Sequence, residues 1–435
     1  MTAQLDVQTG FKAGESNQHY LRHVAELSES NPVVTREDVY DVHGIKLITK
    51  GARVDHSVYE RLLRYKLTKP IETMLNVEDA VSALELTELA EELMAANSHI
   101  SQTVDTIDAD GVALELVRRM RLDSTGSLML SLQRKENVRL RHGLVVSLLA
   151  VGIGHKIQLP QQHVEALVCA GMLHDVGELY LDPAIYATTD NLTPDQWRQV
   201  ASHPLIGETV IRETMDYPRE VSRFVAEHHE RISGYGYPRL LSGKSMTRAG
   251  ICLGVAEQAA GILGQEKPDL GRLACAMRLV HGEFPAITVT MMDTVYRALR
   301  DALGIPESLL HGAAVITRSQ ELAQLLNRAI EWIEAKEPSQ PGIAMLIDFV
   351  RTRLLILRKS AHSAGILGFT APSVGTEAEL PEGDIREIDH ISHELWRRLK
   401  ELPGLASLIA DPAKTDARDF VNGFAQCLGG RLQFE

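Results

Sequence analysis

Seven potential metal ligands lie between His142 and Glu257: His142, the adjacent pair His174-Asp175, His203, the adjacent pair His228-His229, and Glu257. Imidazole nitrogens and carboxylate oxygens, with no thiolate among them, suit divalent metals such as Mn(II), Fe(II) or Zn(II). A mononuclear site needs only three or four protein ligands. Six or seven are enough for two metals that share a bridging carboxylate, the arrangement used for phosphoryl chemistry. These residues therefore point to metal-assisted phosphodiester hydrolysis.

The elements that must position them are helical. Leu140–Gly152, Gln161–Leu173, Pro194–Ser202, Ile206–Met215, Arg219–Glu230 and Arg248–Leu263 all carry helical apolar spacing. Thr193-Pro194-Asp195 predicts an N-cap with proline at the first helical position. A His-Asp pair closing the apolar run Cys169–Leu173 can give one nitrogen ligand and one bridging carboxylate from neighbouring positions. Consecutive imidazoles on a helix point about 100° apart, so His228 and His229 can serve two different metals.

Upstream, Val39–Val42 and Ile45–Ile48 alternate around His43-Gly44 and predict a short hairpin. A helix is expected near Ser57–Lys66 with Pro70 at its exit, and helical periodicity from Asn76 to about Ser124. The first 30 or so residues read as polar and poorly ordered. Downstream, 266–435 reads as helical, broken at Pro338–Gly342 and again by a Gly/Pro/Ser/Thr/Glu-rich stretch, Gly365–Asp384, expected to be a mobile loop. His390 and His393 lie one helical turn apart without convergent carboxylates in the sequence and are expected on a solvated helix face. The resulting division is an N-terminal regulatory or dimerising module (1–124), a metal-binding helical domain (125–265) and a C-terminal helical extension (266–435), mainly α overall.

Composition narrows the alternatives. A chain of 435 residues has room for two or three cores, and 44% hydrophobic with 24% charged residues is ordinary for a globular protein. A net charge of −13 argues against bulk nucleic-acid binding, although metals and a few local cations can reverse the field inside a pocket. No apolar stretch reaches the roughly 20 residues of a membrane helix. Leu144–Gly154 comes nearest and reads as a buried helix. The start, MTAQLDVQTG, has neither the basic head nor the apolar run of a secretory signal. Four scattered cysteines, with Cys169 and Cys252 in apolar stretches, fit buried thiols in a reducing cytoplasm.

The motifs in register resemble the HD-GYP cyclic di-GMP phosphodiesterases of the HD metal-dependent phosphohydrolase superfamily. His174-Asp175-Val176-Gly177 is similar to that family's HD element, His203-Pro204 to its downstream His-Pro, His228-His229-Glu230-Arg231 to its HHER, and Gly236-Tyr237-Pro238 to its GYP loop. His142 stands where an upstream helix carries the first histidine, and Glu257 where the last ligand is an aspartate. The resemblance covers about 125–265. It implies an all-helical bundle holding two or three metals, Fe or Mn, with His142, His174, Asp175, His203, His228, His229 and Glu257 as ligands. Asp175 would bridge, and a metal-bridging hydroxide would attack cyclic di-GMP to give pGpG, with GMP the alternative final product, and His174 and Asp175 central to catalysis. The Gly236-Tyr237-Pro238 loop would shape the guanine pocket and offer a surface to diguanylate cyclase domains. Arg231 would be partly structural, and Lys244 and Arg248 are nominated as phosphate partners on charge and proximity. A homodimer through the flanking modules fits the same reading.

The chain departs from the pattern near the substrate rather than the metals. Glu178 replaces a lysine, Ser233 replaces an aspartate before the loop, and Ile251 stands where an arginine is expected. Val138 takes the place of a glutamate found in three-metal members, which favours two metals. Glu178 puts an anion where a cation would neutralise phosphate. It is the main support for an alternative reading, a degenerate member that acts as a cyclic di-GMP receptor or interaction scaffold.

Overall fold

The structure is a computed structural model that describes residues 17–96, 98–134, 137–186, 192–265, 268–303, 312–338, 340–370, 381–411 and 413–429. It is mainly helical, with four short strands among the described residues. The chain divides into two compact units, Met1–Thr189 with Gln199–Pro268, and Asp190–Arg198 with Asp269–Glu435.

The first unit begins with α1 (Gln18–Ser30), where the sequence alone predicts no order. Asn17 caps it by accepting the N–H groups of His19 and Tyr20, and Tyr20, Leu21, Val24, Ala25 and Leu27 are buried. The polar residues between them masked this stripe. β1 (Val33–Thr35) pairs antiparallel with β4 (Leu75–Val77), and β2 (Val39–Tyr40) pairs with β3 (Lys46–Ile48). The second pair is the expected hairpin. Its turn is held by Asp41, whose Oδ1 accepts N–H from His43 and Ile45 at 2.9 and 2.8 Å. The first pair takes Asn76 and Val77 out of the expected helical stretch, because both edges of a long-range strand pair must be known before either is visible. α2 (His56–Arg64), α3 (Ala83–Ala95), α4 (His99–Ile107), α5 (Val112–Arg118) and α6 (Ser124–Arg134) complete the N-terminal part.

The helices that carry or flank the ligands follow: α7 (Asn137–Lys156), α8 (Gln161–Leu173), α9 (Pro183–Tyr186), α10 (Pro194–Val200), α11 (His203–Thr214), α12 (Arg219–Glu227) and α13 (Arg248–Leu263). α7 packs against both α8 and α13. Its centre is apolar on all sides, with Leu144, Val146, Leu148, Leu149, Ala150, Val151 and Ile153 at 0% exposure, so the longest apolar run of the chain is a core helix. Cys252 is buried and Cys169 half-buried, and burial pushes both thiols up to about 12.

The second unit holds α14 (Leu270–Arg278), α15 (Ala286–Leu303), α16 (Gly312–Glu334), α17 (Pro341–Ser363), α18 (Glu382–Ile409) and α19 (Thr415–Cys427). Residues 192–198 pack with it. Ser407 Oγ donates to the Pro194 carbonyl at 3.2 Å, and Arg198 Nη2 donates to the Ser407 carbonyl at 2.5 Å. Thr193 caps α10 as expected, accepting the Gln196 N–H at 3.2 Å while Gln196 Oε1 accepts the Thr193 N–H at 2.9 Å. Of the stretch Gly365–Asp384, Ile366–Thr370 is a 3-10 segment and Glu382 already opens α18, while 371–380 lies outside the described residues. His390 is not on a solvated face. Its Nε2 meets Asp269 Oδ2 at 2.6 Å, a carboxylate 121 residues away that also caps α14. No helix of the described residues is long and apolar enough to cross a membrane.

Candidate metal centre

Each nominated ligand sits on a helix or at a helix end. His142 is on α7, His174 caps the C-terminus of α8, and Asp175 opens the 3-10 segment Val176–Tyr180. His203 begins α11, His228 caps the C-terminus of α12 with His229 next, and Glu257 lies within α13. Gly177 explains how α11 reaches the Asp175 turn: a Cβ there would overlap the carbonyl of His203, so only glycine admits that approach.

Three imidazoles are oriented by one local device. Nδ1 of His174, His203 and His228 each donates to the carbonyl three residues earlier, Gly171, Val200 and Val225, at 2.8, 2.8 and 2.6 Å. The hydrogen on Nδ1 fixes the tautomer and turns Nε2 inward. The inward atoms form two groups, His142/His174/Glu257 and Asp175/His203/His228/His229, each compact enough to hold a metal ion. Glu257 Oε2 lies 2.9 Å from His142 Nε2 and 3.1 Å from His174 Nε2. Asp175 spans both groups: Oδ2 is 3.0 Å from His174 Nε2, and Oδ1 is 3.3 Å from His203 Nε2 and 3.7 Å from His228 Nε2. All seven sequence-nominated ligands thus converge, including Glu257, whose extra methylene does not keep it from the cluster.

The double histidine does not divide between the two groups. His228 and His229 fall in the same group, with ring centroids 4.1 Å apart. Both lie beyond the last residue of α12, so the 100° separation of a continuous helix does not apply to them.

The donors fit a divalent cation. His174 Nε2 is buried and makes no hydrogen bond, although two carboxylate oxygens stand near it. Nε2 of His203 and Nε2 of His228 are 3.2 Å apart, a separation that needs a proton or a metal ion between two lone pairs. Burial works against charge on His174, yet Asp175 and Glu257 hold it well above the usual histidine range. Burial is likewise outweighed at His142 by Glu257 and at His203 by Asp175, and both are raised. Burial takes His228 down to about 4 and His229 well below its ordinary value. Burial would raise Asp175 and Glu257, but the surrounding imidazoles hold both far below the carboxylate range. The two carboxylates therefore demand positive charge at the places where the bare nitrogens point.

The nominated substrate residues divide. Tyr237 stacks on His229, with centroids 4.5 Å apart at 24°, and its N–H donates to the His229 carbonyl at 3.1 Å, so the loop packs directly on a ligand. Gly236 and Pro238 are buried, and a Cβ on Gly236 would overlap the backbone of Glu230 and Arg231. Arg231 Nη1 donates to the carbonyls of His228 and Glu230 at 3.2 and 2.9 Å, which holds the turn after α12. Lys244 is exposed on the short turn Gly243–Ser245. Arg248 opens α13, nine residues or about 13 Å of helix before Glu257, and its Nη2 donates to the Ile157 carbonyl at 2.9 Å, beyond the C-terminus of α7.

Three residues matter here that sequence reasoning gave no role. Glu230 accepts the N–H groups of Arg239 and Leu241 at 2.6 and 2.8 Å and so closes the loop. Burial pushes it up to about 7. Glu227 accepts the N–H and Oγ1–H of Thr247 at 2.7 and 2.6 Å, which fixes the start of α13. Arg139, one turn before His142, places Nη1 2.7 Å from Glu178 Oε2, so the unexpected anion is paired. Burial raises Glu178 and Asp175 adds to the shift, while His203 and Arg139 oppose it.

Comparison with known proteins adds the family. Residues 117–258 match the HD domain family, a span that contains every ligand named above. The matched span, 117–258, is similar to an HD domain and holds the whole ligand cluster. The chain is 27% identical to the cyclic di-GMP phosphodiesterase PA4108 of Pseudomonas aeruginosa over 33% of its length and 35% of the relative's. It is 22% identical to the 3'3'-cGAMP-specific phosphodiesterase 3 of Vibrio cholerae over 45% of its own length and 42% of the relative's. It is 27% identical to a cyclic di-GMP phosphodiesterase of Thermotoga maritima over 27% and 32% of the two chains. The matches therefore span well under half of these relatives. Among solved structures, Bd1817, an HDG"Y"P protein of Bdellovibrio bacteriovorus, aligns with a TM-score of 0.34 and 15% identity, covering 61% of this chain and 95% of that one.

Proposed function

We propose that this chain is an HD-GYP, metal-dependent phosphodiesterase that hydrolyses cyclic di-GMP to pGpG and onward to GMP in the bacterial cytoplasm. The observation that carries the reading is Asp175, whose two oxygens face two separate ligand groups at 3.0 and 3.3 Å. His142, His174 and Glu257 would hold one ion and His203, His228 and His229 the other, with Asp175 shared and Fe or Mn the metals suited to the donors. Bound divalent ions would supply an acidified water as nucleophile and neutralise charge on the phosphate oxygens. The chain's own part is orientation. Backbone carbonyls lock three imidazole tautomers, and Tyr237 packs on His229 to join the loop to the cluster. His174, His203 and His228 are at most 2% exposed, whereas Asp175 and His142 keep 26% and 25% of their side chains open, so a diester can approach from one side. The named activities of the relatives support a cyclic dinucleotide as the substrate. A contact of the Gly236–Pro238 loop with diguanylate cyclase domains belongs to the same reading.

The test is product analysis. Protein loaded anaerobically with Fe(II), or with Mn(II), is incubated with cyclic di-GMP and separately with 3'3'-cGAMP, and the products are separated. Appearance of pGpG or GMP, abolished in His174→Ala/Asp175→Ala, is the expected result. Intact cyclic di-GMP from protein that holds metal would replace this reading with the receptor or scaffold.

A further inference from the structure

Arg139 and Glu178 each lie one turn from a ligand. Arg139 precedes His142 by three residues on α7, which puts both on one helix face. Glu178 follows Asp175 by three residues in a 3-10 segment, where positions three apart eclipse. The two side chains meet at 2.7 Å, 33% and 16% exposed. Glu178 lies within electrostatic reach of Asp175, whose side chain is 26% exposed, and of the closed-in His203. The Arg139 guanidinium also lies over the Tyr186 ring, 5.5 Å from its centroid. Carboxylate and ring together set the plane of the guanidinium, and a set plane is what distinguishes a fork for phosphate from a floating charge. Arg231 and Arg248, by contrast, donate to backbone carbonyls.

We propose that Arg139 is the substrate-binding cation of this centre and that Glu178 is its positioning residue, so that the cation for the diester phosphate comes from α7 rather than from the turn after Asp175. The proposal rests on the phosphodiesterase reading above. A phosphodiester approaching the open side of the cluster meets the guanidinium next to the bridging carboxylate, and a charge-assisted pair forms with a non-bridging oxygen. Glu178 neutralises Arg139 in the resting protein and aims it. In this setting the glutamate no longer argues for a degenerate site.

The experiment compares Arg139→Gln, Arg139→Lys and Glu178→Gln in the full chain loaded with Mn(II). It reads KM and kcat for cyclic di-GMP and for bis(p-nitrophenyl) phosphate, with bound metal and thermal midpoint measured on each protein. Arg139→Gln should raise KM by about 10- to 100-fold, the range of one charge-assisted hydrogen bond, at unchanged metal content. Arg139→Lys should recover part of that loss, and Glu178→Gln should cost less than Arg139→Gln. Equal KM changes and equal losses of thermal midpoint in the two glutamine variants would make the pair a clamp between α7 and the turn, and overturn the proposal. If the wild type cleaves only bis(p-nitrophenyl) phosphate, the cyclic dinucleotide reading fails while the KM for that ester still decides the role of Arg139. A wild type that cleaves neither ester overturns both.

Discussion

Asp175 and Glu394 are both carboxylates closed in by basic side chains, one in each compact unit, and their partners differ in one respect that decides what each cluster can do. Glu394 is 0% exposed and meets three guanidiniums: Arg398 Nη1 at 2.7 Å, Arg272 Nε at 3.0 Å and Arg397 Nε at 3.3 Å. Arg398 also meets Glu283 at 2.7 Å, and Arg397 meets Glu401 at 2.6 Å. A guanidinium is always charged, so this network is complete within the fold. Asp175 meets imidazoles, whose charge is removable, and their Nε2 atoms face one another as well as the carboxylate. A buried cluster balanced by arginine holds structure. One balanced by histidine, with the tautomer locked from behind, can exchange its protons for a metal.

The comparison breaks most visibly in activity. His174→Ala/Asp175→Ala, or chelation of the wild type, should bring cyclic di-GMP hydrolysis down to the uncatalysed level, measured as pGpG release. Glu394→Gln, assayed below its melting temperature, should retain turnover. Equal losses in the two would mean that the arginine network, too, serves the chemistry.

Stability separates the clusters next. Glu394→Ala leaves Arg398 and its neighbours without their central anion, and breaking a buried pair from one side costs about 3–5 kcal/mol. The loss, read from denaturant melts followed in the second unit, should be the same with and without Mn(II). The first unit should instead gain about 2.7 kcal/mol when Mn(II) is present at 100 times its Kd, and His174→Ala should erase that gain. A metal-dependent shift in the second unit would contradict the division.

Acid sharpens it further. Burial would raise Glu394, but Arg397, Arg398 and Arg272 hold it well below its ordinary 4.5. The unfolded chain therefore takes up this proton at a higher pH than the folded one. The stabilisation is complete above the unfolded value and is lost as pH falls below about 4.5 towards the folded one. Glu394→Gln should flatten the acid limb of the second unit's stability curve, and an unchanged limb would remove Glu394 from the acid transition.

The sequence made the centre more legible than its surroundings. Each ligand is a residue type with few other reasons to recur near an HD pair, so His142, His174, Asp175, His203, His228, His229 and Glu257 could be named before any packing was known, and all converge. The helices α8 and α13 were also visible to the residue, because both are apolar runs bounded by proline or threonine. What escaped was pairing at long range: β1 with β4, Asp269 with His390, and Arg139 with Glu178. The first two join segments 40 or more residues apart through groups that look ordinary singly. Arg139 had a signal, its place one turn before His142, but no reason to be chosen until Glu178 was seen to face it. Lys244 and Arg248, nominated by closeness along the chain to the Gly236–Pro238 loop, lie on an exposed turn and against the Ile157 carbonyl respectively.

The smallest effect comes from a third carboxylate, buried and with no basic partner among the described residues. Glu72 is 4% exposed, burial raises its pKa, and its Oε1 accepts the Tyr180 hydroxyl at 2.9 Å while Oε2 has no hydrogen bond. Tyr180 ends the 3-10 segment that Asp175 opens, stacks on Tyr20 at 4.9 Å, and accepts Asn17 Nδ2 at its carbonyl at 3.1 Å, so this contact ties α1 and the strand region to the turn that carries the bridging ligand. Tyr180→Phe removes the donor and leaves the carboxyl group buried, which should cost about 1–3 kcal/mol. Tyr180→Phe/Glu72→Met replaces both partners with apolar groups and should return most of that loss, since the penalty belongs to the unpaired polar group rather than to the missing bond. Neither variant should alter bound Mn(II), because the Nδ1 anchors of the ligands are local to each helix. A loss of metal in Tyr180→Phe would instead mean that the N-terminal elements hold Asp175 in place through this one hydroxyl, and that the centre is less self-contained than its local anchors make it.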